Sequence, residues 1–160
     1  MSKEHLSTYL NDHLAGAVMA LEVIDQLATE APDLKSILLE TKSDIEADRE
    51  QLITLMKKLD IAESRVRKAG AWFAEQIAEA KFEMDDHAGG LLGRLERLEA
   101  LALGIEGKRG LWRALEAASA TEATLGGLDY PQLIQRAKDQ RERMESLRIQ
   151  TARAALTLAA

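Results

Sequence analysis

The chain has 160 residues, of which 46% are hydrophobic, 30% charged and 4% aromatic, with a net charge of -6 and no cysteine. This length predicts one domain, residues 1–160, whose core is large enough to fold without disulfides. The missing cysteine excludes disulfides, thiolate metal sites and cysteine nucleophiles. No apolar run approaches the roughly 20 residues of a membrane span, and the first residues lack the apolar core of a signal peptide. We therefore expect a cytoplasmic protein without a membrane partner.

Acidic and basic side chains are unevenly distributed along the chain. Residues 1–60 carry twice as many acidic as basic side chains, whereas the segment 129–160 is mildly basic. In one bundle, an acidic first pair of helices can therefore face a basic last helix. A nucleic-acid-binding protein typically combines a net basic face with aromatic stacking residues, and this chain has few aromatic residues. We expect no nucleic-acid partner.

The first two helices are predicted by apolar residues that recur at spacings of three and four, the pattern of one buried helix face. They span about residues 4–29 and 33–59. Pro32 lies in the turn between them, which suits the first turn of a new helix. The turn is so short that the two helices must pack antiparallel.

Two further long helices are predicted in the second half of the chain. The first of them spans about residues 88–119, and three glycines inside it should loosen or kink it, since each costs about 1 kcal/mol relative to alanine. These glycines are Gly104, Gly107 and Gly110. The last helix has the clearest start, because Asp129 can cap its first amides and Gln132 completes a capping box.

The connection between the second and third long helices is about 30 residues long. Within it, Asp60 and Glu63 form a D-x-x-E capping box, which predicts an additional helix over roughly residues 61–83. So long a connection favours an up-down-down-up order with one crossover, and the additional helix either crosses over or packs as a fifth member. The expected fold is an all-α, ferritin-like four-helix bundle with an additional helix in the long connection.

Four polar residues lie on or beside the apolar stripes, each on a different long helix: His13, Asp48, Glu106 and Gln140. Counted from the first turn, His13 and Asp48 lie at nearly the same height, because antiparallel helices rise equally per residue. We expect a hydrogen bond between them. Glu106 and Gln140 lie within about one turn of each other, which allows a second polar layer.

These polar residues have two interpretations. The favoured one is a buried hydrogen-bonded network that fixes the register of the helices, as buried polar groups do in some bundles. The other is a metal site or a small-ligand site in the core, with His13, Asp48 and Glu106 as the metal ligands, because histidine is a common metal ligand. No catalytic residue is predicted.

The helical layout is similar to that of the ferritin-like superfamily, and three segments resemble a small, uncharacterised group of bacterial bundles of this kind. The segments are residues 9–16 (YLNDHLAG), 71–75 (AWFAE) and 103–108 (LGIEGK). The resemblance implies a ferritin-like fold and carries no activity. Ferritin-like di-iron proteins use Glu-x-x-His on two helices. Here Ser2, Leu10 and Met84 stand three residues before the histidines, so that ligand set is missing from the sequence.

These observations favour a non-enzymatic bundle that acts through protein contacts or self-association, as a homodimer and without a cofactor. The alanine- and leucine-rich segment 151–160 offers apolar surface for a second subunit. The alternative is a divergent ferritin-like metal-binding or redox protein whose core site contains the three candidate metal ligands. A third hypothesis is a ligand-sensing bundle with a pocket near the three helix glycines.

Overall fold

A computed structural model describes residues 2–64 and 90–157 of the protein. These residues form four α-helices and two short 3₁₀ turns, without a β-strand among them, so the predicted all-α class is confirmed for this part of the chain. None of the four helices has an apolar stretch that could cross a membrane. The helices are α1 (Lys3–Glu30), α2 (Lys35–Lys58), α3 (Leu91–Ser119) and α4 (Tyr130–Ala155), and the turns are Pro32–Leu34 and Ala123–Leu125.

Side chains cap the first amides of two helices. The Ser2 hydroxyl accepts a hydrogen bond from the His5 amide at 3.3 Å, at the start of α1. The Asp129 carboxylate accepts one from the Gln132 amide at 3.0 Å, and Pro131 occupies the first turn of α4, where an N–H would have no helical partner. The predicted start of the last helix, with Asp129 as its cap, is therefore confirmed.

An ion pair at one end of the bundle and a hydrogen bond at the other define the helix directions. Arg97 near the start of α3 pairs with Glu30 at the end of α1 at 2.5 Å, so these two neighbouring helices are antiparallel. At the opposite end, the Lys58 ammonium donates to the Gly126 carbonyl in the α3–α4 turn at 2.6 Å. The order is therefore up-down-down-up, and the chain passes from one end of the bundle to the other between Ser64 and Gly90.

Two apolar clusters form the core, one toward each end of the bundle. The cluster toward the α1–α2 turn is built around buried side chains such as Ile24, Leu38 and Leu98, which are fully inaccessible to solvent. The other, toward the α3–α4 turn, includes Leu10 and Trp112. The buried polar residues Asp48 of α2 and Gln140 of α4, and the partly buried Lys108 of α3, stand between the members of these two clusters. The core is thus divided by a polar layer near mid-height.

The additional helix predicted from residue 61 does not begin there. Asp60 has a φ of 52°, in the left-handed region, and residues 61–64 are not helical. Two interactions explain this: the Ile61 side chain is buried in the core, and the Asn11 side chain accepts from the Ser64 amide at 2.6 Å and donates to the Ala62 carbonyl at 3.2 Å. The D-x-x-E pattern was therefore wrong as a helix start. The rest of the predicted helix, residues 65–83, lies outside the described residues.

Helix α3 begins at Leu91, three residues later than predicted, after Gly90 with a φ of 77°. It then continues to Ser119 without interruption through the three glycines that were expected to loosen it. Ile105 and Leu111 are buried on either side of Gly107 and Gly110. Packing of this face against the other helices therefore outweighs the low helix propensity of glycine.

Candidate functional site: a buried carboxylate beside an apolar cavity

The polar layer is centred on Asp48 of α2, which is only 1% exposed. Its Oδ2 accepts a hydrogen bond from Lys108 of α3 at 2.5 Å and one from Gln140 of α4 at 3.0 Å. Its Oδ1 accepts a hydrogen bond from Arg136 Nε of α4 at 2.6 Å. Lys108 also donates to the Gln140 side-chain oxygen. One carboxylate therefore joins three helices through a closed network.

Opposite charges balance around this network. Burial lowers the pKa of Lys108 from its ordinary value, and the neighbouring Asp48 carboxylate acts in the opposite direction. One turn along, Arg143 of α4 pairs with Glu40 at 2.9 Å and with Asp44, both on α2. These pairs confirm that acidic residues of the first helix pair face basic residues of the last helix.

His13 and Asp48 line the same cavity, but no hydrogen bond joins them, so that expectation was wrong. The reason is competition: Lys108, Arg136 and Gln140 already occupy the carboxylate oxygens of Asp48. The His13 ring instead contacts Tyr9 edge-on, with ring centres 4.8 Å apart. Burial lowers the pKa of His13 from its ordinary value, with Asp12 opposing it, so the imidazole is uncharged at neutral pH.

Glu106 lies outside the network, contrary to the prediction of a second polar layer with Gln140. Its side chain is 44% exposed and pairs with Arg109 at 3.2 Å and Arg141 at 3.5 Å. The preceding residue, Ile105, occupies the inward position instead. One residue corresponds to about 100° of rotation around a helix, which is enough to move a carboxylate from the core to the surface.

The two cations of the network, Lys108 and Arg136, were not predicted from the sequence. Lys108 follows Ile105 by three residues and precedes Leu111 by three, so its helical spacing did signal the buried face. A buried aspartate on α2 also required a positive partner. Long basic side chains can lie along apolar surface with only the charged end in a polar contact, which is why their position is hard to infer from a pattern.

The proposed metal ligands do not form a metal site. In residues 2–64 and 90–157, no group of three or more histidine, aspartate or glutamate side chains is placed to hold an ion. Asp48 is bonded to two cations, and Glu106 faces the surface among arginines. Of the four residues proposed for the network, Asp48 and Gln140 are joined by a hydrogen bond, His13 shares a cavity with Asp48, and Glu106 is separate.

A cavity of about 390 Å³ opens beside the polar layer, between α1, α2 and α3. We call it the mid-height cavity; it is lined by residues drawn from 12–20, 45–52 and 103–112. Two of its glycines, Gly16 on α1 and the exposed Gly107 on α3, leave room at its walls, because a Cβ atom built on either one meets nothing within 4 Å. The lining is mainly apolar and includes Leu52, Leu111 and Trp112.

Comparison of the chain with protein families, curated proteins and solved structures finds no match. Functional inference therefore depends on the polar layer and the mid-height cavity. The polar layer is internally satisfied, since Asp48 is bonded to Lys108, Arg136 and Gln140. The cavity, in contrast, is unfilled by the side chains that line it, which makes it the candidate site.

Proposed function

We propose that the protein is a non-enzymatic helical bundle that binds a small, largely apolar molecule in the mid-height cavity. The observation that carries this proposal is the cavity itself, about 390 Å³ in volume, bordered by three helices and partly open to solvent. Small-molecule sites in proteins are typically concave and mostly apolar, with few polar groups. A pocket of this kind between α1 and α3, beside buried side chains such as Leu111 and Trp112, is suited to an apolar guest.

The size of the cavity suggests the size of the ligand. Ligand sites in proteins typically measure roughly 300–1,000 Å³, and an apolar cavity of about 150 Å³ accommodates benzene. By that measure the mid-height cavity would hold two to three aromatic rings. The glycines Gly16 and Gly107 let such a ring system approach the backbones of α1 and α3 closely.

A binding role, rather than a catalytic one, is supported by the state of the charged groups at the cavity. Asp48 and Lys108 line it, but each is bonded within the polar layer. The His13 ring is uncharged at neutral pH, so it can donate a hydrogen bond to a ligand or accept one from it. The polar layer would then form a rigid wall of the cavity and hold the surrounding helices in a fixed register.

We expect the uncharged fluorophore N-phenyl-1-naphthylamine to bind the protein, and Gly107→Leu to weaken this binding at least about tenfold by filling the cavity. A lost contact of about 1.4 kcal/mol corresponds to that factor. Fluorescence titration measures the dissociation constant. Gly110→Leu is the matched control, because Gly110 lies on the same helix in equally open space but does not line the cavity.

Both variants replace a helical glycine with a better helix former, so neither is expected to unfold the protein. Gly16→Leu, on the opposite wall, provides a second test of the same cavity. If the fluorophore does not bind, or if it binds equally well to Gly107→Leu, Gly16→Leu and Gly110→Leu, the mid-height cavity is not its site and the proposed function is wrong.

The proposed architecture is a ferritin-like bundle, and the proposed location is the cytoplasm. The support for the first is the up-down-down-up order of α1 to α4 with one long crossover, which is the order of ferritin-like folds. The absence of cysteine from the sequence fits a reducing compartment. The role of the crossover residues 65–89 in the bundle lies outside the described residues.

Self-association is a second candidate function, supported by two exposed leucines. Leu103 on α3 is 60% exposed, and Leu156, just after α4, is 65% exposed. Removing an exposed leucine side chain from water is favourable, so association with a second copy that covers these side chains would be stabilised. We expect light scattering at high concentration to give twice the chain mass of 17.6 kDa, and Leu103→Glu or Leu156→Glu to reduce it. A single-chain mass at all concentrations would contradict the homodimer.

A further inference from the structure

The chemistry of the cavity wall indicates which kind of molecule it would bind, given the proposed function. Two lining residues, Arg49 and Trp112, each have a buried side-chain N–H without a hydrogen-bond partner. These atoms are Nε of Arg49 and Nε1 of Trp112, and both are donors. Among the described lining residues, no buried side-chain acceptor is left unsatisfied in this way. A bound molecule with a hydrogen-bond acceptor would satisfy these donors.

Arg49 adds a positive charge that is poorly neutralised. Its ion pair is with Glu50, the next residue, at 3.4 Å, and the Glu50 side chain is 65% exposed. Exposed pairs of this kind contribute little. The Arg49 side chain itself is only 30% exposed, so its guanidinium lies partly out of water at the edge of an apolar space. An anion bound beside it would gain more than at the open surface.

The charged side chains that line the cavity are two acidic, Asp12 and Asp48, and two basic, Arg49 and Lys108. Lys108 is already bonded to Asp48 within the polar layer, so it is not available to a guest. The ion pair of Arg49 is with the exposed Glu50 and not with Asp12. Arg49 is therefore the lining cation that can bind an anionic guest, and it favours such a guest over a neutral or positive one of equal shape.

We propose that the ligand is an organic monocarboxylate whose apolar body occupies the mid-height cavity and whose carboxylate is bound by the Arg49 guanidinium. A guanidinium offers parallel N–H donors that match the two oxygens of a carboxylate. This inference rests on the proposed function, and it assigns Arg49 as the residue that sets the charge preference of the site. The apolar walls formed by α1 and α3 would limit the size of the ligand's apolar part.

Three aromatic compounds of nearly equal shape test this proposal: 2-naphthoate, the neutral 2-naphthamide and the cationic 2-naphthamidine. Each is titrated against the protein loaded with N-phenyl-1-naphthylamine, and displacement is followed by fluorescence. We expect 2-naphthoate to displace the fluorophore at a concentration at least about tenfold lower than 2-naphthamide, since hydrogen bonds to charged groups are the stronger ones. The cation should be the weakest competitor.

The selectivity is the ratio of the concentrations of 2-naphthamide and 2-naphthoate that displace the fluorophore. Arg49→Gln is expected to bring this ratio to about one. Arg49→Lys should restore part of the selectivity, because lysine keeps the charge but lacks the planar guanidinium. Arg113→Gln is the matched control: Arg113 is exposed on α3 and does not line the cavity, so the ratio should stay unchanged. Helix content by circular dichroism checks that each variant is folded.

The possible failures are distinguishable. If none of the three compounds displaces the fluorophore, or the fluorophore does not bind, the proposed function itself is wrong. If 2-naphthamide or 2-naphthamidine competes as well as 2-naphthoate, the cavity binds small molecules but the carboxylate preference is wrong. If 2-naphthoate is the strongest competitor and Arg49→Gln leaves its advantage over 2-naphthamide unchanged, another cation binds the carboxylate and the assignment to Arg49 is overturned.

Discussion

Replacing Asp48 with asparagine is expected to lower the free energy of unfolding by about 3–5 kcal/mol, because it leaves buried cations without their counter-charge. Asp48 is 1% exposed, and its partners Lys108 and Arg136 are only 13% and 27% exposed. Such a loss is a large fraction of the roughly 5–15 kcal/mol typical of a folded domain. Urea denaturation, followed by circular dichroism, measures it.

Asp25→Asn is the control for this experiment. Asp25 also pairs with a lysine, Lys42, at 2.7 Å, but its side chain is 56% exposed. Removing a surface pair of this kind should cost less than about 1 kcal/mol. Adding Lys108→Met to Asp48→Asn should recover part of the lost stability, since it removes one of the unpaired charges. Equal effects of Asp48→Asn and Asp25→Asn would show that the polar layer does not stabilise the fold.

Leu98→Ala is expected to destabilise the protein by about 2–5 kcal/mol, whereas Leu103→Ala should change its stability by less than about 0.5 kcal/mol. The two residues lie on α3 and undergo the same substitution. Leu98 is fully buried in the cluster toward the α1–α2 turn, and Leu103 is 60% exposed. Denaturant titrations of both variants compare them directly. Similar losses would mean that the buried face of α3 is assigned wrongly.

The comparison of Leu98 with Leu103 also tests how far the apolar pattern determines burial. Leu98 lies on the stripe of residues at spacings of three and four, and Leu103 lies off it. The structure follows this pattern on α2 as well, where Thr41, Ile45 and Asp48 are all buried. Periodicity therefore predicted these inward-facing residues, including a charged one, whereas Glu106 of α3, which the same pattern placed on or beside the stripe, lies at the surface.

The start of α4 was also encoded locally. Asp129 accepts a hydrogen bond from an amide three residues ahead, so cap and helix are only one turn apart. The apparent cap at Asp60 shows the limit of such a signal. Burial of Ile61 and the hydrogen bonds from Asn11, about fifty residues away in the chain, decide the local conformation there. A four-residue pattern contains no information about those contacts.

The partners within the polar layer could not be read from the sequence. Equal helix rise placed His13 and Asp48 at the same height, and they do line the same cavity. Asp48 nevertheless bonds to Lys108 and Arg136, whose long side chains extend to it from α3 and α4. The predicted partner of Gln140, Glu106, faces the surface because of its rotation about the α3 axis.

The sequence by itself determined the helical class, the inward faces of the helices and the first turn of α4, since these depend on residue spacing and on hydrogen bonds within a few residues. Only the tertiary structure decided that Asp48 joins α2, α3 and α4, and that Gly16 and Gly107 leave a cavity of about 390 Å³. Those features depend on the rotation and separation of whole helices, which many distant contacts set together.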